Sequence, residues 1–176
     1  GPLNLYLAVD SINYATAGKA ISNGSDIDDA WTVRLGGNYD FEVVQIFAGA
    51  AYFDEAQLST FAGAGTDWAK AYLGSADSFK IKGWSLGVSG SIPAAGGKVL
   101  VGAAYMDAEA ADSMESTYKD AEVSRWIVSA GYDYPLSKRT DVYGVVTYNQ
   151  DSMDKIGAKD ADPTVWGVML GMRHKF

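Results

Sequence analysis

The sequence predicts an all-β protein, an antiparallel up-and-down transmembrane β-barrel wall. Three observations carry this. Period-two alternation of apolar and small or polar residues recurs eight times, short turns alternate with long acidic connections, and tryptophans recur at one place in every second strand. No stretch approaches the roughly 20 uninterrupted apolar residues of a membrane helix. The chain has 176 residues, 20 glycines, 4 prolines and no cysteine, which rules out collagen-like repeats, a disulfide framework and thiolate metal sites. Its formal net charge of −8 argues against nucleic acid as a partner.

In order, the alternating segments are LNLYLAVDSINY, WTVRLGGNYDF, VVQIFAGAAYF, WSLGVSGSI, KVLVGAAYM, SRWIVSAGYDY, DVYGVVTYN and VWGVMLGMRHKF. The last splits into an apolar string (Trp166, Val168, Leu170, Met172, His174, Phe176) and a small-or-charged string (Val165, Gly167, Met169, Gly171, Arg173, Lys175). The connections YDFE, IPAAGGK and YPLSKRTD are tight and rich in turn formers. Those through residues 15–30, 55–77, 107–123 and 150–163 are long and acidic. Hairpin-joined neighbours run antiparallel, so short turns gather at one rim and long loops at the other.

Aromatics set the scale. Trp31, Trp84, Trp126 and Trp166 open the apolar face of four strands, and eight residues on come Tyr39, Ile92, Tyr134 and His174. Eight steps of ~3.3 Å at a tilt of ~40° span roughly 20 Å, close to the ~25 Å apolar band of an outer-membrane barrel between its aromatic girdles. Tyr52, Tyr105 and Tyr148 complete the girdle near the long-loop rim, and Tyr143 is also expected to be a girdle residue rather than part of a ligand-stacking platform. The opposite parity carries Arg34, Arg125, Arg173, Lys175, Asp10, Asp40 and Asp133 among many glycines and serines. These are the expected pore-lining residues, because an Arg at mid-depth in lipid costs ~2–4 kcal/mol. Tyr6, Tyr14, Phe47 and Phe53 are the candidate inward aromatics for a sugar-conducting slide.

Charge separates along the axis, with a net of −11 in the four long loops and +3 elsewhere. Solvated loops that resist aggregation explain the acidic excess at DIDD (Asp26 to Asp29) and in the two later loops; divalent cations at carboxylates are the sharper reading, although no spacing matches an EF-hand loop. A wall positive at Arg34, Arg125, Arg173 and Lys175 favours anions, against an acidic mouth.

Enzymatic chemistry finds no residues. His174 is the single histidine and has lipid-facing parity, so no nucleophile–base pair is built from it. GVSGSIPAAGGK lacks the Gly-Lys-Ser/Thr ending of a phosphate loop. No cofactor is expected.

YPLSKRTDVYGVVTYNQ and GVMLGMRHKF resemble the C-terminal hairpins of Gram-negative general porins, most closely those of β-proteobacteria, through Ser137-Lys138-Arg139-Thr140-Asp141, Tyr143 and the Arg173-His174-Lys175-Phe176 ending. The resemblance is strongest over residues 124–176, and the strand–loop rhythm extends it over the chain. It implies a water-filled outer-membrane channel for ions and small hydrophilic solutes, a homotrimer in a bilayer with lipopolysaccharide, extracellular long loops and periplasmic chain ends. It also implies that Phe176 is the assembly signal. That family has 16-stranded barrels of roughly twice this length. Residues 1–176 therefore read as one barrel region without a separate soluble domain, either the C-terminal half of a porin needing its remaining half, or a complete eight-stranded barrel with a structural or adhesive role. Glycine, alanine and serine would leave an eight-stranded interior underpacked, which favours the half-barrel. The N-terminus lacks the basic start of a signal peptide, so the chain reads as mature or a fragment.

Overall fold

The computed structural model describes residues 1–13, 29–57, 79–114, 118–155, 160 and 162–176. Eight strands form one sheet: β1 Leu3–Ile12, β2 Ala30–Asp40, β3 Gln45–Gln57, β4 Lys80–Ala94, β5 Gly97–Ala110, β6 Glu122–Pro135, β7 Thr140–Asp154 and β8 Thr164–His174. Each pairs antiparallel with its chain neighbours in the order β1 to β8. The expected meander is therefore present. Strands β4 to β7 run further toward the long-loop rim than alternation alone indicated, because their ladders continue past the tryptophans to pairs such as Ile81–Ala110 and Val123–Met153.

Register assigns every side chain to a face. Val33–Tyr52–Trp84 and Tyr105–Trp126 follow one another across the strands on the apolar face, as do Tyr148 and Trp166. The aromatic rows pack on themselves, with ring centroids 5.3 Å apart for Trp31–Tyr52, 5.6 Å for Trp84–Tyr105, 5.0 Å for Trp126–Tyr148 and 4.7 Å for Tyr148–Trp166. At the short-turn rim Tyr39 meets Phe41, Tyr132 meets Tyr134, and His174 meets Phe176. Between these belts the apolar face is bare: Leu5, Leu7, Val168 and Leu170 are exposed, Leu170 at 81%. A water-soluble protein rarely leaves so continuous an apolar surface uncovered.

The connection between β4 and β5 is a two-residue turn with both residues in the left-handed region, Ala95 at φ 49° and Gly96 at φ 81°. That geometry matches the right-handed twist of hairpin strands. The Tyr132 hydroxyl donates to the Ala94 and Ala95 carbonyls, 2.9 Å each, and holds the turn against β6. Among the described residues no ladder joins β1 to β8, and every residue of β1 is exposed. The sheet is therefore open among the described residues, with β1 and β8 as its edge strands.

Candidate functional site

The candidate site is the polar face of this sheet. Thr32, Arg34, Asn38 and Asp40 of β2, Ser85 and Ser89 of β4, and Arg125, Ser129 and Asp133 of β6 all lie on it, and cross-strand register brings Arg173 to the same face opposite Asp141. Alternation along the chain did not show that the three arginines have carboxylate partners.

Arg34 pairs with Asp10 of β1, both side chains substantially accessible. Arg173 pairs with Asp141 at 2.7 Å and Asp133 at 3.3 Å. Arg125 grips Asp151 directly across β6 and β7 through Nε–Oδ1 and through Nη2–Oδ2 at 2.6 Å, with the two side chains only 5% and 2% accessible. Charge on this wall is thus largely balanced in pairs. Asp40 accepts the Glu42 backbone N–H at 2.8 Å and shapes the turn after β2, while the Lys175 backbone N–H donates to the Arg139 carbonyl.

Two tyrosines lie against glycines on this face. Tyr6 sits opposite Gly36, where an added Cβ would come within 2.5 Å of its hydroxyl. Tyr143 sits likewise over Gly171. Tyr143 is therefore a polar-face residue and not part of the girdle: its register partner is Asp133, and parity moves it to the face opposite Tyr148. Each ring packs over a residue without a side chain. Phe47 also lies on this face; Phe53 is fully buried, and Tyr14 lies outside the described residues.

At the long-loop rim the polar face acquires a small apolar core that the alternation did not reveal. Phe53, Phe79, Ile81, Met106, Val123 and Met153 cluster there, with Met114 and Tyr118 of the β5–β6 connection packed against them. A 3₁₀ turn, Asp112–Met114, fastens this connection to the wall. Glu55 accepts from the backbone N–H of Ser113 at 3.0 Å and from its hydroxyl, and pairs with buried Lys80 at 3.1 Å. Ala111 N–H donates to the Lys80 carbonyl at 3.0 Å. Glu55 sits in a β-bulge between Phe53 and Ala56 with φ 53°, a conformation that non-glycine residues seldom adopt and that re-aims its carboxylate. Its sequence signal was weak, a Phe-Asp-Glu-Ala step that breaks the alternation. On the other face Lys82 pairs with Asp112 at 2.5 Å and Glu109 at 3.5 Å.

Among the described residues no group of three or more His, Asp or Glu side chains is arranged to hold a metal ion, and Asp26 to Asp28 lie outside those residues.

With this geometry in place, the family model described as Gram-negative porin matches residues 1–154. The chain belongs to the Gram-negative porin family. An outer membrane porin protein of Bordetella pertussis is 29% identical over 190 aligned residues, covering all of this chain and 43% of the relative. The chain thus spans less than half the length of that curated relative. The sheet is accordingly porin barrel wall, with one apolar and one polar face.

Proposed function

We propose that this chain is one half of an outer-membrane porin whose polar face lines a water-filled channel for passive diffusion of ions and small hydrophilic solutes. The observation that carries the reading is the division of one sheet into an exposed apolar face between two aromatic belts and a polar face of glycine, serine and ion-paired charge. Lipid requires the first; water accepts the second. The work asked of the protein is size exclusion and wall charge rather than catalysis, and it calls for no cofactor.

The free edges of β1 and β8 support pairing with the remaining half of the barrel. Residues 1–176 then form one barrel region without a soluble domain, the long loops face the exterior with its lipopolysaccharide, the chain ends lie at the periplasmic rim, and Phe176, fully exposed, serves as the assembly signal. The functional unit is a homotrimer, as the family likeness implies. Because Arg34, Arg125 and Arg173 are paired, the preference for anions is weak. It comes from cations such as Lys175, which makes no ion pair among the described residues.

The test is reconstitution of the assembled porin in planar bilayers and in proteoliposomes. Ohmic steps and swelling driven by small sugars, with a reversal potential displaced modestly toward the anion equilibrium value in a salt gradient, are expected. Folded protein that inserts yet neither conducts nor admits sugars refutes a diffusion channel and leaves the structural or adhesive barrel.

A further inference from the structure

We propose that the short-turn end of the polar face holds a binding site for a soluble multivalent oxyanion of the phosphate class. The location rests on the reading of this face as the lumen wall. A cavity of about 290 Å³ opens there, lined by Lys98 of β5, Lys138 and Arg139 of the β6–β7 turn, and Arg173 and Lys175 at the end of the chain. At about 30 Å³ per water in the liquid, it has room for a phosphate with part of its hydration shell. Its two carboxylates, Asp133 and Asp141, are both engaged with Arg173. The side chains of Lys98, Lys138, Arg139 and Lys175 make no ion pair among the described residues, and all four are exposed.

The contrast with the rest of the sheet gives the cluster its meaning. Arg34, Lys80, Lys82 and Arg125 each have a carboxylate partner. Lys98 has one within reach in register, Asp133 directly opposite on β6, but that carboxylate is turned to Arg173. Positive charge is neutralised along the wall and left uncovered at this mouth. Lysine ammonium groups are compact rotatable donors and the arginine fork matches two oxygens of a phosphate, so the set favours a divalent tetrahedral oxyanion over chloride. Charged and polar side chains line the cavity and neither ring of the Tyr132–Tyr134 belt does, which favours a soluble anion over a phospholipid headgroup.

The experiment follows inorganic phosphate by ³¹P line broadening on the detergent-solubilised porin, a readout independent of conduction, and by block of chloride current in bilayers of zwitterionic lipid. Saturable broadening at low-millimolar phosphate is expected, together with block that is stronger when phosphate is added at the short-turn side. The Lys98→Gln/Lys138→Gln/Arg139→Gln variant should weaken both at least tenfold, while Lys119→Gln, exposed near the opposite rim, changes neither. Heat-modifiable migration reports that the variants are folded; Lys98→Gln alone, expected to weaken broadening about threefold, serves if the triple variant is not. Broadening that is absent, or equal in wild type and folded variant, overturns the site. Broadening lost in the variant from a protein that does not conduct upholds the site and refutes the diffusion channel. Retention of phosphatidylglycerol without response to soluble phosphate overturns the assignment to a soluble anion.

Discussion

Replacing Asp151 with Asn tests whether the ion pairs of the polar face differ in kind according to burial. Arg125 and Asp151 face each other across β6 and β7, 5% and 2% accessible, beside the buried side chains of Met106, Val123 and Met153. Asn keeps the shape of the aspartate but leaves the guanidinium charged in a place that water does not reach. Removing one partner of a buried pair costs about 3–5 kcal/mol, because the remaining ion keeps its desolvation penalty and loses its bidentate carboxylate. With a urea slope of ~3 kcal/mol per molar, the unfolding midpoint of the Asp151→Asn protein should fall by about 1 M or more. The Arg125→Met/Asp151→Leu double variant should recover most of the loss, since apolar side chains suit the same surroundings. Asp10→Asn provides the contrast. Its partner Arg34 is 39% accessible, so solvent screens the pair and the stability cost is about 0–1 kcal/mol. Uncovering Arg34 should instead move the reversal potential toward the anion value. A midpoint shift below about 0.3 M for Asp151→Asn, or equal losses for the two variants, refutes the reasoning.

Further predictions use neighbouring features. Val128→Arg and Ser129→Arg differ by one residue and by one face of β6; the first should lose about 2–4 kcal/mol on folding into vesicles and the second little, and equal losses would contradict the face assignment. Gly171→Val displaces the Tyr143 ring from the wall and should lower single-channel conductance, whereas an unchanged current would mean that this ring does not border the water path. Glu55→Gln loosens the Asp112–Met114 turn, so amide exchange at Met114 and Tyr118 should accelerate at least tenfold; unaltered protection would show that the apolar cluster alone holds the connection.

What the sequence determined by itself is whatever depends on neighbours along the chain. Side chains alternate between faces in every strand, so a string such as Trp166, Val168, Leu170 declares its face without knowledge of its partners, and the number of strands, their direction and the aromatic belts follow. Tyr143 shows the limit. Read for its residue type it belongs to a girdle, yet its parity and its seat over Gly171 place it on the other side. Tertiary structure alone decided which charges are spent. Asp10 and Arg34 are 24 positions apart, Arg125 and Asp151 are 26 apart, and Glu55 meets Ser113 across 58. Those meetings depend on strand register, on one bulge at Glu55, and on a connection folded back over an apolar patch. Coulomb energy and desolvation act through space, so the chain order that writes the strands says nothing of which carboxylate will quench which arginine.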